Sequence, residues 1–377
     1  MSRRQRRRRN KRRKSSEEED YISRLPDSII IDEILSRLST KEAVKTGVLS
    51  TRWKYLWTCN PTLDFPLFDI RDNKGFVSIV NKTLALYIIP LTRNTCFPYD
   101  EDRIRYQIPQ DLYAHSSLTE LTTNFCDYAP KAEVSWTSLK ELYIGSAALT
   151  EDALQRILAG TPLLEHLELD ECWGTSSIQV SSTSALKELV ITEWLDPRCL
   201  TEDTLNLNTL EISIPSVKSL ELLGAWQTKC LLLDASSLVE AHLTEFSEFS
   251  LVYEEGDIQE YAAMVKEMLL RVTSVSELSV GPIFLRFDEG NLIKEEDYWS
   301  SLEHLPFMKL KVISIWLGSF DPRKDCFDYL LGFAQFMLRK ATVIEKMIIS
   351  PKSYRRKLLT TLRRCSPKTK AEIICHR

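Results

Sequence analysis

Between Pro26 and Trp57 the apolar residues fall at helical intervals. Ile30 and Ile34 lie four apart, as do Ile31 and Leu35, with Leu38 three further on; this broad stripe predicts a helix rather than an alternating strand. Pro26 suits its first turn, where a missing N–H costs nothing. Ser39 and Glu42 make the S-x-x-E pattern of a capping box and open a second helix, on which Val44 and Val48 share a face with Leu49 beside them. Ser50 or Thr51 caps a third short helix, where Trp53, Leu56 and Trp57 stand at i, i+3 and i+4. Three such helices carry more large apolar side chains than so small a unit can bury. Two readings follow: a helical subdomain that caps the downstream body, or a docking surface for a partner.

A different period begins at Leu118. The pattern L-x-x-L-x-L-x-x-N/C, with Val, Ile or Ala allowed at its apolar positions, recurs in windows starting at Leu118, Leu139, Leu164, Leu186, Leu207, Val217, Leu238, Val275 and Leu310. "LEHLELDEC" (Leu164 to Cys172) matches it in full. The start-to-start intervals are 21, 25, 22, 21, 10, 21, 37 and 35 residues, most of them in or near the roughly 20–29 range of leucine-rich repeats. Each window predicts one short strand of a solenoid, with positions 1, 4 and 6 in a continuous core. The interval of 10 leaves no room for a complete repeat, and the last two intervals are each long enough for a helix. "TEDALQRILAG" reads as a helix bounded by Thr150 and Gly160. Cys126 and Cys172 fall at the N/C position and are expected as buried structural thiols.

Positions 3, 5 and 7 of each window should face outward on a concave sheet. Position 3 holds Glu120, Glu141, Glu188, Glu240 and Glu277; position 5 holds Glu168, Glu211 and Glu221; position 7 adds Asp170. No Lys or Arg occupies these positions in the nine windows, although His166 and His242 do. With neighbouring strands about 4.8 Å apart, stacked carboxylates would repel mildly and attract a basic partner. The competing reading is ordinary surface filler, since Lys140 and Lys187 directly precede two of the glutamates.

Beyond Leu310 the pattern predicts strand, helix, strand, helix, strand. Phe327, Leu330, Leu331, Ala334, Met337 and Leu338 share one helical face, "EKMIIS" and "AEIICH" read as strands, and "YRRKLLTTLRRC" lies between them as a helix. This α/β unit would continue the solenoid and cap its end.

The 377 residues suffice for two or three domains, and 44% apolar content suits a folded chain. Charge divides unevenly. Ten of the first fourteen residues are Arg or Lys, so the remainder carries 39 basic and 53 acidic residues, a net of −14. The basic run contains Arg6, Arg7, Arg8, Arg9, Lys11, Arg12, Arg13 and Lys14 and is followed by "SSEEED"; it cannot bury apolar area and is expected to be disordered. A nuclear-import address is the preferred reading. Salt-dependent phosphate binding and a solvated tail without a role are the alternatives, and no interleaved aromatic residue supports base stacking. Nine scattered cysteines, without a C-x-x-C pair or a secretory leader, point to a reducing compartment and away from a disulfide framework or a metal site. The apolar run "LALYIIPL" is too short to span a bilayer. None of the phosphate-loop, dinucleotide-binding, zinc-protease or serine-elbow motifs occurs, and the five histidines are scattered, so no enzyme activity, metal or cofactor is expected.

Leu25-Pro26, the spacing to Ile34-Leu35, and "LSTKEAVKTGVLSTRW" with the final Trp57 resemble the plant F-box motif. The resemblance implies docking on a Skp-type adaptor and thereby on a cullin-based ubiquitin ligase. Its candidate adaptor contacts, or their supports, are Leu25, Pro26, Ile34, Leu35, Val44, Val48, Leu49, Trp53 and Trp57. The region from about Ser300 to His376 resembles the FBD region found at the C-terminus of many plant F-box/LRR proteins.

The expected class is α/β. A basic tail (1–20) precedes a three-helix F-box (21–65), a shortened linker or first-repeat region (66–117), leucine-rich repeats (118–295) and an FBD-like α/β cap (296–377). The stretch Phe76 to Leu112 looks shortened beside such proteins, and a missing strand pair there would leave a weak seam between docking module and repeats. The expected function is a non-catalytic, substrate-recruiting subunit of an SCF-type ubiquitin ligase whose unknown protein substrate binds the repeats. A nuclear leucine-rich scaffold or nucleic-acid-associated protein with an inactive F-box is the alternative. No membrane partner is expected, nucleic acid is disfavoured, and the expected location is the nucleus or the cytoplasm, with the nucleus favoured.

Overall fold

The computed structural model describes residues 21–60, 62–65, 78, 82–83, 93–96, 106–193, 209–224, 229–244, 255–281, 307–316, 326–350, 355–365 and 370–375. The basic tail and most of the stretch from Phe76 to Leu112 lie outside the described residues. The chain divides into two compact units, Met1–Thr92 and Arg93–Arg377.

In the first unit the helical stretches are irregular. Helix α1 (Asp27–Ile29) passes into a π-helical stretch over Ile30–Ile34 and a 3-10 turn over Leu35–Arg37. Helix α2 (Thr40–Lys45) opens on the predicted capping box, in which Glu42 N–H donates to Ser39 Oγ at 3.4 Å and Ser39 N–H to Glu42 Oε2 at 3.3 Å. It tightens into a 3-10 turn at Thr46–Val48. Trp53–Cys59 is entirely 3-10, with Ser50 Oγ accepting from Trp53 N–H at 3.4 Å. Its run of two Trp, Tyr and Thr has low helix propensity, so burial of Trp53, Leu56 and Trp57 rather than backbone preference holds this segment. Strand β1 (Thr62–Phe65) follows, with Leu63 buried.

The second unit is a solenoid. In chain order its strands are β2 (Arg93–Cys96), β3 (Tyr106–Gln107), β4 (Glu120–Asn124), β5 (Cys126–Asp127), β6 (Glu141–Gly145), β7 (His166–Asp170), β8 (Ser177–Gln179), β9 (Glu188–Glu193), β10 (Thr209–Ser213), β11 (Ser219–Gly224), β12 (Lys229–Asp234), β13 (Glu240–Thr244), β14 (Glu277–Val280), β15 (Val312–Trp316), β16 (Lys346–Ser350) and β17 (Glu372–Cys375). Its helices among the described residues are α3 (Gln110–Tyr113), α4 (Glu151–Ala159), α5 (Glu255–Arg271), α6 (Cys326–Lys340) and α7 (Arg355–Cys365). One parallel sheet runs β2-β4-β6-β7-β9-β11-β13-β14-β15-β16-β17.

Every strand that a window predicted begins at that window's third position. The apolar rule holds as well: positions 1, 4 and 6 are buried in the windows starting at Leu139, Leu164, Val217, Leu238, Val275 and Leu310. Register is locked just before each strand, where one carbonyl accepts two amides of the next coil. Thr119 O takes Lys140 N–H at 2.8 Å and Glu141 N–H at 3.3 Å; Lys140 O takes Glu165 N–H at 2.9 Å and His166 N–H at 3.0 Å. Past the strand, the eighth residues Phe125, Ser146 and Glu171 take φ of 53°, 44° and 49°, a left-handed kink that starts the return of the chain. Their N–H groups donate to Gly145 O, Asp170 O and Thr192 O of the next strand.

One window departs from expectation. Strand β10 does not join the main sheet but forms a second, three-stranded sheet with β8 and β12. Ten residues separate the start of β10 at Thr209 from that of β11 at Ser219, half a coil, so the chain reaches the opposite wall and then returns. From β7 to β13 the far wall of the coil is therefore strand, whereas helices α4, α5, α6 and α7 occupy the β6–β7, β13–β14, β15–β16 and β16–β17 intervals. The interval before Val275 does contain helix α5; that before Leu310 falls largely outside the described residues. Helix α4 has the predicted ends, with Thr150 Oγ1 accepting from Ala153 N–H at 3.3 Å and Gly160 as its C-cap. The strand and helix order predicted beyond Leu310 is present, and β16 and β17 prolong the ladder: Ile344, Met347 and Ile349 repeat positions 1, 4 and 6 and are buried.

Candidate functional site

Two surfaces gather the residues singled out by the sequence. The first is on the N-terminal unit. Ile30, Leu35, Ala43, Trp53, Leu56 and Trp57 form its core, with Leu25, Ile31, Ile34 and Leu38 packed against it. Polar ties close this core. Asn60 Nδ2 donates to Leu35 O at 3.1 Å, and Trp57 Nε1 donates to Lys54 O at 3.1 Å. Arg52 Nε donates to Asp27 Oδ1 at 2.7 Å, and the same guanidinium reaches Leu25 O, so Arg52 pins the Leu25-Pro26 turn to the start of the third segment.

With its core filled, the unit still exposes large apolar side chains: Val48 is 87% exposed and Leu49 63%, with Val44 on the same helical stretch at 41%. Among the nine residues proposed for adaptor contact, Leu35, Trp53 and Trp57 are thus core members, Leu25 and Ile34 are half-buried, and Pro26, Val44, Val48 and Leu49 are exposed. The sequence did not single out Tyr21, Ile22, Ile29 and Tyr55, which are exposed as well. For Ile29 the signal was there: it falls outside the i, i+4 pairs that define the buried stripe.

The second surface is the outward face of the main sheet. Its third-position row reads Glu120, Glu141, His166, Glu188, Ser219, Glu240 and Glu277 from strand to strand. Glutamate therefore directly faces glutamate at Glu120–Glu141 and Glu240–Glu277, while His166 and Ser219 interrupt the expected stack. The fifth-position row alternates as well, with Glu168 beside Tyr143 and Val190, and Glu221 beside Val190 and His242. Glu211 is a correction. It sits on β10 of the small sheet, paired with Ser177 and Leu231, and is no part of this face.

The centre of the face is tightly coupled. His166 Nδ1 lies 3.0 Å from Glu188 Oε2, and its Nε2 lies 3.8 Å from Glu168 Oε2. Burial raises the Glu168 carboxyl above the usual carboxylate range, an effect that His166 opposes and that Asp170 and Glu221 reinforce. Tyr143 Oη donates to Asp170 Oδ2 at 2.6 Å, and burial, followed by that hydrogen bond, pushes its phenol up. Cys126 is buried as expected, while Cys172 is only half-buried. Both thiols cap carbonyls left over by the turn, Cys126 at Asn124 O and Cys172 at Ile144 O, each at 3.3 Å. Among the described residues, a cavity of about 140 Å³ also lies between the two sheets, lined by Leu169, Cys172, Thr192, Leu210, Leu222 and Cys230 among others.

The comparisons with known proteins follow the same division. A family profile described as "F-box domain" matches residues 22–63. A second, described as "At1g61320/AtMIF1, LRR domain", matches residues 61–275 and so takes in the stretch read as a shortened linker. Similar curated proteins come from Arabidopsis thaliana. The F-box/LRR-repeat protein At3g03360 is 28% identical over 88% of this chain and 70% of its own length. The F-box protein At5g03100 is 29% identical over 71% of this chain and 90% of its own length. The F-box/LRR-repeat protein At5g02910 is 30% identical over 71% of this chain and 61% of its own length.

Proposed function

The chain belongs to the plant F-box/LRR family, and from that premise we propose that it is the substrate-recognition subunit of an SCF-type ubiquitin ligase. Proteins of this family generally act as non-catalytic substrate receptors. The N-terminal unit would bind a Skp-type adaptor and the repeats a target protein, and the contribution to ubiquitin transfer would be proximity rather than chemistry. The observation that carries this reading is the excess of apolar surface on a unit whose own core is complete, with Val48 87% exposed and Leu49 63%. In this reading Val44, Val48, Leu49 and Pro26 touch the adaptor, Leu25 and Ile34 sit at the rim, and Leu35, Trp53 and Trp57 hold the surface in shape.

The target would lie along the outward sheet face and present basic groups to Glu141, Glu168, Glu188, Glu221 and Glu240. The basic tail would serve as a nuclear-import address, and residues 296–377 would be the FBD-like end of the solenoid. The deciding experiment is a pull-down of the full chain with a Skp-type adaptor, comparing wild type with Val48→Asp/Leu49→Asp. Recovery by wild type and loss in the variant supports the proposal; no recovery by wild type removes it.

A further inference from the structure

The C-terminal end of the solenoid carries a charge opposite to that of the sheet face. From Pro351 to Arg377, nine residues are Lys or Arg and Glu372 is the one acid. Helix α7 lies in this stretch with Arg355, Arg356 and Lys357 in its first turn, Arg363 and Arg364 in its last, and no acid. Its apolar side is already used: Leu358 and Leu362 are fully buried where the helix packs on α6 and β17. Its outer side presents Lys357, Thr360, Arg363 and Arg364, all exposed. Arg339, in the last turn of α6, and Lys370, just before β17, are exposed too.

We propose that this basic end docks on the sugar–phosphate backbone of a nucleic acid, without reading its bases. Helix α7 carries five basic residues and no acid, and Glu372 is the one acid of the stretch, a balance that suits a polyanion better than a protein surface of mixed charge. Among the described residues of helix α7 none is aromatic, so the helix has no ring for stacking on a base. Insertion into a membrane would need an apolar face, and Leu358 and Leu362 are committed to the solenoid core. Lys357 and Arg364 stand seven residues apart on one helix, about 10.5 Å along its axis, enough to span successive phosphates of one strand. Three bases in the first turn also oppose the helix dipole, so a bound anion relieves a local electrostatic cost.

The N-terminal tail would bind phosphate on its own account, so the test starts from a full-length variant in which the ten Arg and Lys of residues 1–14 are serine. That protein is titrated into a labelled DNA duplex of about 20 base pairs, and into an RNA strand of equal length, at roughly 50 mM salt. Binding is expected, with affinity falling about 40-fold for the duplex and about 20-fold for the RNA strand by roughly 200 mM salt if three phosphate contacts form. Adding Lys357→Glu, Arg363→Glu and Arg364→Glu should weaken binding at least about tenfold and leave the far-ultraviolet circular dichroism spectrum unchanged. The same three positions as Gln serve if the charge reversals disturb folding. A preference between duplex and RNA identifies the source of the phosphate. Absence of binding by the tail variant, undiminished binding by the folded triple variant, or tighter binding to polyglutamate than to either nucleic acid would overturn the proposal.

Discussion

Arg52 Nε donates to Asp27 Oδ1 at 2.7 Å across 25 residues of chain. The guanidinium also reaches Leu25 O, so one side chain fixes both the acid and the backbone of the Leu25-Pro26-Asp27 turn. The pair is partly exposed, with side-chain exposures of 35% and 57%, and its ionic part is worth about 0.2–1 kcal/mol. The carbonyl bond adds about 1 kcal/mol. Arg52→Ala should therefore destabilise the N-terminal unit by about 1–2 kcal/mol. A double-mutant cycle with Asp27→Ala, read by denaturant unfolding, should return a coupling below about 1 kcal/mol. A coupling near zero would assign the effect of Arg52 to its contacts other than Asp27, the Leu25 carbonyl among them.

The exposed and buried halves of the F-box residue set should separate cleanly. Leu35 and Trp53 are buried at 0% and 4% exposure, so Leu35→Ala or Trp53→Ala should cost about 2–5 kcal/mol. Any loss of adaptor binding would then accompany unfolding. Val48→Asp and Leu49→Asp should change stability by no more than about 0.5 kcal/mol and still abolish adaptor recovery. Circular dichroism melts beside the pull-down distinguish the two cases.

The windows from Leu118 onward were legible because a coil that returns to the same wall must repeat its buried positions. Leu142, Leu167, Leu220 and Leu278 each occupy position 4 and each is buried. Position alone did not say which wall a window joins, and the window starting at Leu207 matched the pattern while its strand β10 serves the small sheet. Strands β8 and β12 escaped notice for a related reason: short runs such as "SSIQV" and "KCLLLD" have no fixed spacing to betray them. In the N-terminal unit the residue types were legible, but their division into core and surface was not. Val44 and Val48 share one helical face and Trp53 and Trp57 another; periodicity gives the faces without saying which one the rest of the unit covers.

Gly160 closes helix α4 against the backbone of an earlier coil. A Cβ at this position would stand 2.2 Å from Val134 O and 2.6 Å from Val134 C. Neither atom belongs to a flexible side chain, so relief requires moving the helix end or the segment before Trp136. Gly160→Ala is expected to destabilise the solenoid by about 1–3 kcal/mol, although alanine is the better helix former. Chemical denaturation of the full chain checks this, and an unchanged midpoint would mean that the coil yields.

His115 should give the solenoid a measurable dependence on mild acid. Burial lowers its pKa from the ordinary 6.5, so the unfolded chain binds its proton first as pH falls. The associated stability is present above pH 6.5 and is lost as pH falls through the lower folded value. Between wild type and His115→Gln, the difference in thermal midpoint should therefore change as pH is taken below 6.5 and stay constant above it. A difference that is flat with pH would place His115 in water in the folded state.

The outward sheet face offers a comparison with its own control. Glu141 and Glu188 face His166 from either side, and Glu240 faces Glu277. Reversing all three, as Glu141→Lys, Glu188→Lys and Glu240→Lys, removes the His166–Glu188 contact and sets three lysines among the remaining Glu120, Glu168, Asp170, Glu221 and Glu277. The changes are at partly exposed positions, so the fold should lose no more than about 1 kcal/mol. Binding of a basic target should fall at least about tenfold, since like charge set against like charge costs several kcal/mol at an interface. Glu211→Lys places the same charge on β10, where Ser177 and Leu231 are its neighbours and the target would not reach. Full binding by Glu211→Lys together with loss in the triple variant would locate the target on the main sheet. Equal loss in both would show that net charge rather than this face governs recognition. Unchanged binding in the triple variant would return these glutamates to ordinary surface.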